Sequence, residues 1–347
     1  MSRPTSYVVT TSYPEHAGDA QGHFVAAEVR RLVETHDVTV LAPGRARPSL
    51  FDERVVSLGG GDAFGFPGAL ARLRERPWRV AGAAQFVVSA LRWLERAPTP
   101  AQLIAHFLLP CGVPIATRAL GDRRTQLEIV VHGSDARLLA KLPSGVRARV
   151  GRELVSVGAQ LRFVSGELHD LVLGALPARQ REVLQARSRV APCAIDLPGA
   201  KSRAQAREAL GIAPDTQLAV IVARLIPGKR VHVALEACER VPDLRAVVVG
   251  EGPEREHLSQ RFPRATFVGH VDRPLALTYL AAADALVSAS LEEGAPTVVR
   301  EARALGTPVV CLAAGDLASW AERDAGIHVV NRPPPATRPT SERPEPS

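Results

Sequence analysis

Apolar residues come along this chain in two alternating rhythms. Short β-branched runs of four to six residues read as buried strands, and runs with apolar positions three and four apart read as helices. Ser6–Thr10 predicts a strand. The polar, Gly- and Pro-containing stretch Ser12–Gly22 predicts a loop. Phe24–Glu34, with Val25, Val29, Leu32 and Val33 on one face, predicts a helix, and Val38–Ala42 the next strand. Together these form a βαβ unit. Further strands are expected at Leu103–His106, Ile129–Val131 and Leu161–Val164, the last followed by a helix start at Ser165.

The rhythm breaks at Ala191–Lys201, where Pro192, Pro198 and Gly199 interrupt it, and an interdomain linker is expected there. It then resumes. Strands are expected at Leu218–Val222, Arg245–Val249, Thr266–Val268, Ala285–Ala289 and Pro308–Leu312. The helices between them are expected at Val231–Val241, Arg255–Phe262, Leu275–Ala282 and Thr297–Leu305. Strands alternating with helices in both halves predict an α/β protein built from two doubly wound domains. The division expected is 1–195, 196–330 and a tail at 331–347. That tail is rich in Pro, Arg and Ser/Thr without an apolar period, and is expected to be disordered. Gly59–Gly68 is expected to be a mobile Gly-rich loop.

Length and composition fit this picture. A chain of 347 residues is too long for one ordinary core. Its 46% hydrophobic and 23% charged residues are the balance of a globular protein, and only 4% are aromatic. The net charge of +7 is uneven: residues 1–200 carry 25 Lys/Arg and 18 Asp/Glu, against 18 and 18 in residues 201–347. A basic half could face anionic headgroups or a phosphorylated acceptor, or could be an ordinary solvated surface. Nucleic acid is the weaker partner, because aromatic and basic residues are not interleaved. The cysteines Cys111, Cys193, Cys238 and Cys311 are scattered with no CxxC pair, which suggests neither a zinc site nor a disulfide framework. The N-terminus has no signal-peptide pattern, and the most apolar stretch, Val80–Leu91, is too short to span a bilayer. A cytoplasmic protein, peripheral on the inner face of a membrane, is the expectation.

In doubly wound sheets ligands bind beyond the carboxyl ends of the strands, so the residues after each strand carry the chemistry. Arg224 and Lys229 follow one strand, the latter after a Pro-Gly turn. Two cations at a helix start can hold phosphate, or can be surface charge. Lysine occurs only at 141, 201 and 229, which makes Lys229 more notable. Gly250 and Gly252 follow the next strand and permit close backbone approach, or form an ordinary turn. After Ala285–Ala289 come Glu293 in a loop and Glu301 one turn into an apolar helix. A carboxylate among apolar neighbours needs a partner. His132 follows a strand and precedes Gly133-Ser134-Asp135. Asp135 is either a site residue or a helix N-cap, and His106 either a site residue or a core histidine.

These residues, in this order, resemble the retaining GT-B-fold glycosyltransferases with the Glu-x7-Glu signature, family 4. The match rests on Val222-Ala-Arg-Leu225 with Gly228-Lys229, Val249-Gly-Glu-Gly-Pro253 and Phe267-Val-Gly-His-Val271. It continues with Ala283–Ser290, Glu293-Gly-Ala-Pro296 and Arg300–Val310. In the first half it includes Gln21-Gly-His-Phe-Val25, Ile104-Ala-His-Phe107, Pro110-Cys-Gly112, Val131-His-Gly-Ser-Asp135, Ser165 and Ala191–Asp196.

The resemblance implies two Rossmann-like domains facing a central cleft. It implies a donor-binding second domain, an acceptor-binding first domain, and transfer of a sugar from a nucleotide-sugar. The acceptor stays open, lipid-linked and polysaccharide classes both being compatible. By the same resemblance Arg224 and Lys229 would neutralise the donor diphosphate, and Glu293 with Gly294, Ala295, Pro296 and Thr297 would hold the sugar. Glu301 would bind the ribose, His132 would sit at the anomeric centre, and Gly22 would let the first turn reach the phosphates. Gly250 and Gly252 would complete the donor site. No metal or other cofactor is implied, the nucleotide-sugar being a substrate. The sequence departs from the family at Cys193-Ala194, where Asn-Gly is usual, and in a shortened C-terminus. A non-catalytic GT-B subunit supporting a partner enzyme and a sugar-nucleotide epimerase are the alternatives.

Overall fold

The computed structural model describes residues 3–60, 63–65, 69–119 and 125–330. The tail at 331–347 and five positions of the Gly59–Gly68 stretch (61, 62 and 66–68) lie outside them. Two wholly parallel sheets organise the chain. The first is formed by β1 (Thr5–Val9), β2 (Asp37–Pro43), β3 (Arg54–Leu58), β4 (Gln102–His106), β5 (Gln126–Val131), β6 (Gln160–Phe163) and β7 (Ser188–Val190). Their spatial order is β3-β2-β1-β4-β5-β6-β7. The second sheet is formed by β8 (Leu218–Val222), β9 (Arg245–Val249), β10 (Thr266–Gly269), β11 (Ala285–Ser288), β12 (Val309–Leu312) and β13 (Ile327–Val330), in the order β10-β9-β8-β11-β12-β13.

The first half supplies helices α1 (His23–Leu32), α2 (Ala69–Glu75), α3 (Val80–Arg96), the single turn α4 (Thr117–Ala119), α5 (Ser134–Lys141), α6 (Ser144–Ser156), α7 (Gly166–Gly174) and α8 (Ala178–Gln185). The second supplies α9 (Arg203–Leu210), α10 (Val231–Glu239), α11 (Arg255–Arg261), α12 (Arg273–Ala282), α13 (Thr297–Ala304) and α14 (Leu317–Ala321). One apolar core packs around the first sheet, and two clusters line the faces of the second. Central strands such as β8, LAVIV, are buried along almost their whole length, as strands covered by helices on both faces must be.

Each sheet reverses its strand order once, between β1 and β4 and between β8 and β11. The loops leaving adjacent strands diverge at such a point and leave a crevice at the carboxyl edge. The loops that leave β8 and β11 are those that carry Arg224, Lys229 and Glu293. The topology therefore brings together what the sequence separates by more than sixty residues.

Candidate active site

At the second sheet's crevice, Lys229 Nζ donates to Glu293 Oε1 at 2.5 Å, both side chains being largely shielded from water. The two loops are also joined by their backbones, Leu291 N–H donating to Gly228 C=O at 3.0 Å. Arg224 is close enough to Glu293 to feel its charge. Burial pulls its guanidinium below the ordinary value, and Glu293 opposes that shift. Arg224, Lys229 and Glu293 thus form one charged group beside the start of α13, whose first N–H groups have no intrahelical partner.

Gly250 and Gly252 shape the floor of this group. Both have positive φ, 138° and 158°, and a Cβ at either would overlap the carbonyl of Ala223 or Leu225. Their absence of side chains lets the loop after β9 lie against the loop after β8. Leu225 N–H donates to Glu251 C=O at 2.8 Å and Glu254 N–H to Leu225 C=O at 3.1 Å. Their evident work is therefore to hold the Arg224 loop.

Glu301 is the partnered carboxylate that its apolar setting demands. It is 7% exposed and accepts from Arg273 at 2.7 Å, while His23 Nε2 lies 3.4 Å away. Arg273 also donates to the Asp196 carbonyl. Sequence reasoning missed Arg273 and gave His23 no role. Arg273 is the first residue of α12, directly before Pro274, and no local pattern ties it to Glu301.

The first sheet contributes from the opposite side. His132 follows β5, half-buried against the rings of Phe24 and Phe107 at 4.8 and 4.6 Å. Its Nε2 is 3.0 Å from His106 Nδ1, and its Nδ1 is 4.0 Å from Cys193 Sγ. Burial, the neighbouring His106 and Arg162 hold His132 well below the usual histidine range, so it is neutral at pH 7. Burial likewise lowers His106, to about 4, although Glu28 3.8 Å away opposes the shift. Glu28 is fixed by two hydrogen bonds from Arg162 and one from Ala194 N–H at 3.1 Å.

His106 is thus a buried partner of His132. Asp135 is structural. It accepts from the N–H groups of Leu108, His132 and Gly133 at 2.6, 3.1 and 2.8 Å, and so sets where His132 sits. Ala194 is absent from the positive-φ residues, so the Cys193-Ala194 pair passes without strain where glycine was the expectation.

The two halves meet around this group. A Cβ on Gly294 would stand 2.8 Å from the His132 carbonyl oxygen, so only glycine lets the Glu293 loop approach it this closely. Ala295 packs on the first core, Pro296 precedes α13 and Thr297 opens it. Gly22 starts α1 with φ 70°. Asp316, from the second half, accepts from the Gly166 and Glu167 N–H groups at the head of α7, at 2.6 and 3.1 Å. Arg30 pairs with Asp196 at 2.7 Å, Arg300 donates to the Cys193 carbonyl at 2.5 Å and Arg137 to that of Glu293 at 3.2 Å. None of these bridges had a signal in the sequence.

Known proteins resemble this chain in both sequence and fold. Residues 216–337 match the family described as glycosyl transferases group 1. TuaC of Bacillus subtilis (strain 168), named for a glycosyltransferase role in teichuronic acid biosynthesis, is 32% identical over 227 residues. That alignment covers 63% of this chain and 55% of TuaC, so the chain spans about half the length of the curated relative it matches. Among solved structures, sucrose-phosphate synthase from Thermosynechococcus elongatus superposes with TM-score 0.70 at 19% identity, over 94% of this chain and 86% of that one. Anabaena HepE, solved in complex with UDP and glucose, superposes with TM-score 0.66 at 15% identity, over 95% and 86%. The chain has the GT-B fold, and its second half carries the sequence pattern of the group 1 glycosyl transferases.

Proposed function

We propose that the protein is a glycosyltransferase that moves a hexosyl group from a nucleotide-sugar to an acceptor hydroxyl. The observation that carries this reading is the convergence of Arg224, Lys229 and Glu293 at the switch point of the second sheet, beside the head of α13. When the bond between anomeric carbon and phosphate breaks, its electron pair goes to the phosphate oxygen. Fixed cations where that charge grows lower the barrier. Arg224 and Lys229 supply them in this reading, in the role a metal would otherwise fill. The acceptor oxygen then bonds to the anomeric carbon, and its proton passes to the departing diphosphate on the same face, which retains configuration.

Donor binding would exchange the Lys229–Glu293 contact for two new ones, lysine to phosphate and carboxylate to sugar hydroxyls. Glu301, oriented by Arg273, would accept from the ribose. The His132 carbonyl and the Gly294 loop would close over the sugar. Both ring nitrogens of His132 already face partners within the protein, so the ring is not read as the acid or base of the reaction.

The acceptor would approach from the first half, whose excess of arginine suits an anionic, lipid-linked or polymeric molecule at the inner face of a membrane. Trp78 and Val80, 69% and 60% exposed beside Arg79, offer a contact for such a surface. Among the described residues no helix is long and apolar enough to cross a membrane.

Calorimetric titration with UDP-, GDP- and ADP-sugars tests the reading. One of them is expected to bind and to lose affinity in Lys229→Ala and Glu301→Ala. Well-folded protein that binds none of the panel would reject it.

A further inference from the structure

Three side chains with metal-binding atoms converge at the floor of the cleft. They are His106 at the end of β4, His132 after β5, and Cys193 in the segment leaving β7. One donor atom from each lies within 4.8 Å of the other two. They are distant in sequence, so the spacing rules that recognise zinc sites in loops cannot see them. The cysteine stands where the resembling family usually has asparagine.

We propose that His106, His132 and Cys193 form a site for one borderline-soft divalent cation of the zinc class. The donor set is two imidazole nitrogens and a thiolate sulfur, which favours zinc over the hard, oxygen-seeking magnesium and calcium. Zinc held at about 2.0–2.3 Å by such ligands sets donor atoms roughly 3.3–3.8 Å apart. Only one His132 nitrogen can face the ion: Nε2 stands 3.0 Å from His106 Nδ1 and Nδ1 stands 4.0 Å from Cys193 Sγ, and one donor atom from each residue lies within 4.8 Å of the other two. Binding would turn the His132 ring so that one nitrogen serves the ion, the histidine–histidine hydrogen bond being given up for two bonds to it.

The surroundings are those of a metal ligand shell. His106 turns Nδ1 toward His132 and Nε2 toward the Glu28 carboxylate, 3.8 Å away. A carboxylate hydrogen-bonded behind a histidine orients the ring for a metal, and Glu28 stands where a small approach to His106 would supply it. Glu28 is itself held by Arg162, which Glu128 braces at 3.1 Å. His106 and Cys193 are buried, whereas half-buried His132 borders the cleft. The fourth coordination position therefore falls on the cleft side, open to water or to an anion. A bound ion would also tie the segment between the two sheets to the first sheet. Binding of the ion stands apart from the transfer reaction proposed above and is read without a sugar donor.

The test uses the full chain after chelator treatment. Zinc is titrated in competition with a chromophoric chelator, and cadmium is followed by the ultraviolet thiolate-to-metal charge-transfer band. One ion per chain is expected, unaffected by excess magnesium. Cys193→Ser should abolish the cadmium band and weaken zinc by more than ~100-fold. Glu28→Gln should weaken it by the ~10–100-fold typical of an outer-shell partner. Melting curves establish that each variant folds. In the unaltered protein, cadmium should slow alkylation of Cys193 and leave that of Cys238 unchanged. Absence of stoichiometric zinc, an undiminished cadmium band in Cys193→Ser, or unprotected Cys193 would each overturn the proposal.

Discussion

Lys229 and Arg273 are both cations paired with a glutamate at the cleft, and their removal should have opposite signatures. Lys229 meets Glu293 at a loop edge where a ligand can replace either partner. Lys229→Ala is expected to fold normally and to reduce kcat/KM by about 10²–10³-fold, the usual cost of losing one charge-stabilising donor. Steady-state kinetics with the donor found by titration measures this. Arg273 and Glu301 are instead almost fully enclosed, their side chains 7% and 9% exposed. Arg273→Ala leaves a buried carboxylate without its main partner and should cost about 3–5 kcal/mol of stability. Urea unfolding of Arg273→Ala beside Glu301→Gln checks this, the second variant being milder because the amide oxygen can still accept from Arg273. Glu293 and Lys229 stood out in the sequence because they follow strand ends, and Glu301 because a carboxylate sits in an apolar helix. Arg273 did not: its partner lies 28 residues away, and only the path of α12 across the sheet brings them together.

At the scale of elements, the strands of the β8–β12 region were legible almost to the residue. Each is a short apolar run between turn residues. β3, β7 and β13, three of the four edge strands, were not: an edge strand need bury only part of its surface, and these lack a clear apolar run. β7 is the three residues Ser-Arg-Val, largely exposed. α9 did carry a readable signal, the capping box in which Ser202 and Gln205 satisfy each other's backbone N–H groups. The loops around the site depend on glycine more than on capping. Gly252→Val, at φ 158° and against the Leu225 carbonyl, should shift the Arg224 loop. A loss of about 1–3 kcal/mol in stability is expected, with weaker donor binding. Thermal unfolding and calorimetry on that variant measure the two effects.

The whole molecule is two sheets clasped by a handful of polar contacts, and the alternation of strands and helices foretold the sheets but none of the clasps. Asp316 at the head of α7 is the most directed of these, since a carboxylate there meets both free N–H groups and the helix dipole. Asp316→Ala should remove about 1–2 kcal/mol from the closed arrangement. Small-angle scattering should then show a larger radius of gyration, which donor restores. An unchanged radius would mean that the remaining bridges suffice.

The same aspartate has an effect on traffic through the cleft. Two helices, α7 and α13, aim their electropositive ends toward the join between the sheets, and either could receive an anion. Asp316 already fills the first with a tethered negative charge. On the proposed reading, an incoming diphosphate would be turned away from the α7 side and toward α13, between Arg224 and Lys229. The charge on Asp316 would in this way settle which end of a nucleotide-sugar enters first, before any sugar or base has been read.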